Sequence, residues 1–471
     1  MLNQTLQEKY PYLEISVLKL SEVQKDNESK RIDSEFFKKE YFDAMETMQL
    51  NQVEYLGDNM KFNSRYSQPK YDETSKIKVI NSQYIRNEYI DYENAKSGYG
   101  KIVPKESVLI NATGVGTLGR VFINILDFDF SIDSHINVIV VKNKTYLNPY
   151  FLAIFLQSYY GQIQIIRYYS GTSGQIEIYP RDFNYFKIPI FPMEFQLEIQ
   201  NLVKDSHKAL EESKELYKKA EETLYLELGL DPKNPLQSLL DSKIDHSIKS
   251  LNISIRTLKE SFLKTGRLDS EYYQSKYEDI EKFIKSYPNG YDSFSSIINN
   301  KDTNFTPKNN ENYSYIELAN IGNNGNISEP ISDLGKNLPT RARRIVSKGD
   351  VIISSIEGSL SSCALITQEF DKHLVSTGFF VLNSKLLNGE TLLVMFKSQI
   401  FQEYLKKFPS GTILCAINKE ELSKILIPKI DSTTQEKIAK YIQESFNLRK
   451  KSKQLLDNAK IKVEEQIQGK I

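Results

Sequence analysis

Net charge is absent from this 471-residue chain, in which 61 Lys and Arg balance 61 Asp and Glu. Bulk electrostatics therefore does not advertise a nucleic-acid partner, and a DNA-binding surface has to concentrate its basic residues locally. Cysteine is scarce, with Cys363 and Cys415 alone, and histidine numbers four. That supply argues against a disulfide framework or a zinc cluster. Both cysteines lie in apolar runs, SSCALI and TILCAI, and are expected to be buried, inert thiols. No window reaches the ~18 uninterrupted apolar residues of a membrane helix. The opening stretch, MLNQTLQEKYPYLEI, lacks the basic-then-apolar order of a signal peptide. A cytoplasmic chain with no membrane partner is expected.

Catalytic motifs are missing as well. GVGTLG (Gly114–Gly119) fits the dinucleotide pattern G-x-G-x-x-G, but strand-like RVFINIL follows where a phosphate-binding helix should begin. A Gly-rich turn between two strands is the expected structure. LNPYFL (Leu147–Leu152) approaches the Asn-Pro-Pro-Tyr motif of amino-methyltransferases, yet lacks the second Pro and reads as a Pro-initiated helix. No Walker loop, Gly-x-Ser-x-Gly or His-Glu-x-x-His is present. No catalytic residue, metal site or resident cofactor is expected in this chain.

What the chain does have is a duplication. RIDSEFFKKEY (Arg31–Tyr41) returns as RLDSEYYQSKY (Arg267–Tyr277), and KIVPKESVLINATG (Lys101–Gly114) as RIVSKGDVIISSIE (Arg344–Glu357). IPIFPMEFQLEIQNLVKDS (Ile188–Ser206) returns as IPKIDSTTQEKIAKYIQES (Ile427–Ser445). Three matches in one order and at nearly one spacing define a repeated module. In each copy the Arg-x-Asp-Ser-Glu segment opens an aromatic-rich helix, where Ser and Asp suit a cap. Short β-branched runs bounded by Gly, Asn and Pro follow, then a helix ending at Ser-Gly-Thr (Ser170–Thr172 and Ser410–Thr412). The fold class is α+β: two tandem mixed α/β domains, with 40% hydrophobic residues sufficient for a core in each.

The last part of each copy differs in kind. Apolar and small residues recur at spacings of three and four, through Ile199, Leu202, Val203, Ser206, Ala209, Ser213, Leu216, Ala220 and Leu224 in the first. Ile438, Tyr441, Ile442, Ser445, Leu448, Ser452, Leu455, Ala459 and Val463 answer them in the second. Such a stripe on a charged helix predicts a coiled-coil seam, with small residues allowing close approach. A helix of ~35 residues spans ~52 Å, and two such helices are expected to pair antiparallel. The expected organisation is a first domain over 1–190, a long helix over 191–230, a linker and second domain over 231–428, and a second long helix over 429–471.

Recognition chemistry gathers in loops. TRARRIVSKGD (Thr340–Asp350) clusters Arg341, Arg343, Arg344 and Lys348, and SGYGKIVPK offers Lys96, Tyr99, Lys101 and Lys105 in the matching region. Arg forks suit guanine edges and phosphates. RYYSGTSGQ supplies Arg167, Thr172, Ser173 and Gln175, and the second copy supplies Ser410 and Thr412. Gln pairs bidentately with adenine, while hydroxyls hold phosphates. The second loop continues as ILCA, so its contacts should differ from those of the first. Glu106-Ser107 replaces the Gly-Asp of the second copy, so that turn is expected to differ too.

The chain resembles the specificity subunit of type I restriction-modification systems over nearly its full length. ARRIVSKGDVIIS (Ala342–Ser354), the Ser-Gly-Thr and Ile-Pro segments, and Gln196 and Gln435 with the helices they begin carry the resemblance. It implies two target-recognition domains, each reading half of a split DNA target, spaced by an antiparallel coiled coil. It implies as partners double-stranded DNA, two modification subunits and restriction subunits. S-adenosylmethionine, ATP and Mg would belong to those partners. Two other readings stand beside it: the specificity partner of another restriction-methyltransferase system, and a tandem coiled-coil scaffold that does not bind DNA.

Overall fold

The computed structural model describes residues 2–15, 17–27, 30–171, 174–241, 255–411 and 414–470. The chain forms two compact units, Met1–Glu211 with Arg449–Ile471, and Glu212–Leu448. The long helices are therefore not free-standing segments; each is divided between the two units.

In the first unit a four-stranded sheet has the order Met60–Arg65, Ile136–Val141, Val108–Asn111, Val121–Ile123, all antiparallel. A second sheet runs Lys70–Tyr71, Lys96–Tyr99, Lys78–Ile80, Phe130–Ile132, its last pair parallel. The second unit repeats the design with Ile298–Asn300, Phe379–Ser384, Val351–Ser354, Cys363–Leu365. Its other sheet has the order Ile331–Leu334, Asn312–Ile316, Leu374–Ser376, Ala342–Ile345. The Ile-Pro motif closes a two-stranded ribbon in each unit, Lys187–Pro189 on Val53–Tyr55 and Leu426–Pro428 on Tyr291–Ser293. Ile188 and Ile427 are fully buried there.

The helix expected before each Ser-Gly-Thr is broken. Pro149–Gln157 and Tyr159–Tyr168 meet at Ser158; Gly389–Lys397 and Gln399–Leu405 meet at Ser398. Both serines are extended (ψ 166° and 147°) and hydroxyl-bonded to the preceding turn, which frees an amide for an outside acceptor. The Glu464 carboxylate takes the Tyr159 N–H at 2.7 Å, and the Tyr225 hydroxyl takes that of Gln399 at 2.9 Å. Tyr225 and Glu464 occupy corresponding places in the two long helices, so one junction is kept with different chemistry.

Those helices span Met193–Glu227 and Ser432–Ile467. Within the first unit the Ser206 hydroxyl meets that of Ser452 at 2.9 Å, and Lys462 pairs with Glu198. Within the second, Ser213 and Ser445 meet at 3.1 Å, and Thr434 bonds Glu227. In each unit the partner's numbers fall as the first helix's rise, so the pairing is antiparallel. The repeat maps one serine pair onto the other. Small, hydrogen-bonded side chains let the backbones approach and penalise other registers.

Ile199, Val203, Ile438 and Ile442 are buried on this seam, and Leu202 is half-buried against the first core. Leu216 and Leu455 are corrected by one residue: both are half-buried, and Tyr217 and Leu456 hold the seam. Strict alternation of three and four from Ser213 and Ser452 reaches 217 and 456, which a leucine at the neighbouring position disguises.

The two turns expected to differ are alike. Glu106 takes φ +58° where Gly349 takes +86°, and each N–H bonds the facing strand, to Asn124 and Ile366 carbonyls at 2.8 Å. A left-handed glutamate costs on the order of 1 kcal/mol, against which its exposed pair with Lys144 returns little. Glu106→Gly is expected to stabilise the first unit by about 0.5–1 kcal/mol in urea denaturation, although it deletes an ion pair.

Candidate nucleic-acid interface

Each Ser-Gly-Thr opens a hairpin. Ser170 and Glu177 exchange two backbone bonds of 2.8 Å, and Ser410 and Ala416 exchange the same pair at 3.0 and 3.1 Å. Gly171 and Gly411 stand at φ +119° and +135°. A Cβ on Gly171 would lie 2.0 Å from the Gln175 carbonyl oxygen, so only glycine closes this loop. Thr172, Ser173 and Thr412 lie outside the described residues. Gln175 and Ser410 are exposed.

The hairpin lies beside the turn that follows the central strand. Gly114 N–H bonds the Ile176 carbonyl at 3.1 Å, and Glu357 N–H bonds that of Cys415 at 3.0 Å. GVGTLG is thus a turn between strands, as expected, with Gly114, Gly116 and Gly119 all at positive φ. Hairpin and turn form one two-loop surface in each unit. Around the first copy's surface stand residues that sequence reasoning missed. Arg65, at the end of its strand, pairs with Glu177 and donates to the Ile178 carbonyl. Arg120 donates to the Gly116 carbonyl at 2.8 Å, and His135 Nδ1 meets the Thr113 hydroxyl at 3.0 Å. Tyr179 is exposed between two guanidinium groups, Arg65 at 5.7 Å and Arg181 at 5.4 Å from its ring. Only topology brings these together; no local motif signals them.

Arg167 is corrected. It is 5% exposed and enclosed by aromatic rings, with its guanidinium carbon 3.7 Å from the Tyr41 centroid and 4.3 Å from that of Phe36. The helix extends to Tyr168, which turns Arg167 inward under the aromatic helix instead of out along the loop. Its counterpart Lys407 is buried likewise, 4.9 Å from the Tyr272 ring and paired with Glu281.

The Arg-x-Asp segments reach the base of these hairpins. Arg31 forks onto Asp33 at 2.8 and 2.7 Å and donates to the carbonyls of Arg167 (3.1 Å) and Tyr169 (2.7 Å). Arg267 forks onto Asp269 at 2.7 and 2.9 Å and donates to the carbonyls of Phe408 (3.2 Å) and Pro409 (2.8 Å). Asp33 also caps the turn through Phe36 N–H, and Asp269 does so through Tyr272 N–H. The Arg31 fork holds the Asp33 carboxyl below its ordinary range; burial raises that of Asp269, and the Arg267 fork outweighs it.

The two basic clusters match only in part. Lys96 and Tyr99 are exposed on the strand next to Lys78–Ile80, whose counterpart is Ile331–Leu334. Arg341, Arg343 and Arg344 lie on or beside Ala342–Ile345, which pairs with Leu374–Ser376 on the other side of its sheet. Lys101 and Arg344 correspond. Lys101 places its amine 4.7 Å from the centroids of the Phe62 and Tyr66 rings. Arg344 is half-buried and donates to the Phe379 carbonyl, so it anchors the strand and is withdrawn from the exposed set. Arg341, Arg343 and Lys348 are exposed. Cys363 is buried, its thiol pushed up to about 12 by that burial, whereas Cys415 is half-exposed in the second hairpin, against expectation.

Residues 43–222, which hold the first hairpin, the turn and the start of the long helix, match the family model for the type I restriction modification DNA specificity domain. That span of the chain is similar to the family. The chain is 29% identical over 129 residues to the type I restriction enzyme HindI specificity subunit of Haemophilus influenzae, a match spanning 26% of this chain and 28% of that protein. Similar solved structures include the type-I restriction-modification S subunit from M. genitalium, at 13% identity and TM-score 0.41, covering 89% of this chain and 95% of that one. The HsdS subunit from Thermoanaerobacter tengcongensis is 14% identical with TM-score 0.27, covering 89% and 97%. The hairpin, turn and ribbon of residues 43–222, and the Arg–Asp fork that precedes them, all recur in the second unit, so Glu212–Leu448 holds a second copy of the module.

Proposed function

We propose that this chain is the DNA-reading specificity subunit of a type I restriction-modification complex, each unit reading one half of a bipartite target. One observation carries this reading. The two hairpin-and-turn surfaces are held by the same backbone bonds and present different residues, Gln175, Tyr179 and Arg181 against Leu414 and Cys415. A shared frame with divergent tips is what two unlike half-targets require. The helix pair supports the remainder of the proposal: it sets the spacing and docks two modification subunits, to which restriction subunits add. The subunit is non-catalytic and cytoplasmic, and S-adenosylmethionine, ATP and Mg act on its partners.

The test is an exchange. With residues 31–190 replaced by those of a relative, the assembled methyltransferase should modify sites altered in one half alone, read by sequencing methylated DNA. A change in both halves, or in neither, refutes split recognition. Absence of DNA affinity beside the modification subunits would favour the scaffold reading. Non-specific affinity should fall steeply with salt as phosphate contacts release counterions.

A further inference from the structure

We infer that the Arg-x-Asp segment heading each module is a clamp that sets the recognition hairpin of its own module, making Arg31 and Arg267 positioning residues for half-target discrimination. This rests on the DNA-reading role proposed above. The carbonyls each arginine takes belong to the last residues before the hairpin, Tyr169 before Ser170 and Pro409 before Ser410. Tyr169 directly follows the helix that ends at Tyr168, where acceptors lack intrahelical partners and a cation is favoured, whereas Pro409 lies four residues beyond the helix that ends at Leu405.

A second contact repeats with equal fidelity. Phe36 has the Arg31 guanidinium 5.1 Å and the Arg167 guanidinium 4.3 Å from its ring centroid. Tyr272 has the Arg267 guanidinium 4.6 Å and the Lys407 amine 4.9 Å from its ring centroid. In each case one cation comes from the clamp and the other from the hairpin stem. The aromatic ring thus fixes the stem side chain while the fork fixes the stem backbone. Asp33 and Asp269 occupy two donors of each guanidinium and hold its plane, leaving the remaining donors aimed at the stem. Lysine cannot reproduce a fork that serves a carboxylate and two carbonyls together. Both halves keep this arrangement although the hairpin tips differ, which separates the device that orients the loop from the residues that read.

The experiment uses the full chain assembled with its modification subunits and compares methylation at cognate sites with sites mismatched in one half. Arg31→Lys should reduce discrimination in one half about tenfold and leave the other half unchanged; Arg267→Lys should do the reverse. Asp33→Asn and Asp269→Asn should follow their arginines, and melting temperatures report folding separately. Unchanged discrimination in variants that melt lower would show a merely structural role and overturn the clamp. Equal loss in both halves would overturn it as well. A wild-type complex that discriminates no bipartite site would instead refute the DNA-reading role on which the inference rests.

Discussion

Gln196→Ala should lower the stability of the first unit by about 3–4 kcal/mol, more than most single substitutions. Gln196 is fully buried where the long helix begins. Its carbonyl oxygen accepts the Asn148 N–H at 2.8 Å, and its amide donates to the carbonyls of Phe191 (2.8 Å) and Tyr146 (3.0 Å). Truncation strands a donor and two acceptors in a dry site, each costing ~1–3 kcal/mol in part relieved by relaxation. Asn148 in turn caps helix Pro149–Gln157 through Tyr150 N–H, so the loss reaches the element behind the central sheet. Gln435 makes the same three bonds, to Asn388 N–H and the carbonyls of Ile430 and Leu386. Gln435→Ala should therefore weaken the second unit comparably, whereas exposed Gln443→Ala should fall within ~0.5 kcal/mol. Urea denaturation of each variant decides it; a cost below ~1 kcal/mol for Gln196→Ala would mean water replaces all three bonds.

The Gln-x-x-Ile pattern is visible in the sequence, yet what the glutamine does is not. Its partners are backbone atoms of residues 146, 148 and 191, and backbone partners leave no trace in composition. The helices and their pairing are legible because a period of three and four sustained over more than thirty residues fits a helix and cannot fit a strand. The phase is less legible at Leu216 and Leu455, where adjacent residues are both apolar and only packing selects Tyr217 and Leu456. Glu106 gives no warning of a left-handed turn, because the conformation is imposed by the strands on either side. Arg167 illustrates the same limit for the site: a cation near a polar loop looks presented until the helix end is known. Arg65, His135 and Tyr179 come from separate stretches and meet only when the sheet is assembled.

Arg341→Ala combined with Arg343→Ala should weaken DNA binding by the assembled complex about a hundredfold near physiological salt. Both side chains are exposed, Arg343 on strand Ala342–Ile345 and Arg341 just before it, with Arg343 Nε steadied by the Thr340 carbonyl at 2.8 Å. In a chain of zero formal charge, such a local cluster has to supply much of the phosphate attraction. The salt dependence tells which contacts were lost. If both arginines neutralise phosphates, the slope of log affinity against log salt should become shallower by about 1.8, with every sequence weakened alike. If they meet base edges, the slope should hold and one or two positions of a single half-target should relax. Arg344→Ala separates presentation from support: its guanidinium is held by the Phe379 carbonyl, so its loss should lower the melting temperature and leave the salt slope in place. A double variant that binds as the wild type at every salt concentration would remove this strand from the interface and leave the hairpin surface to carry recognition.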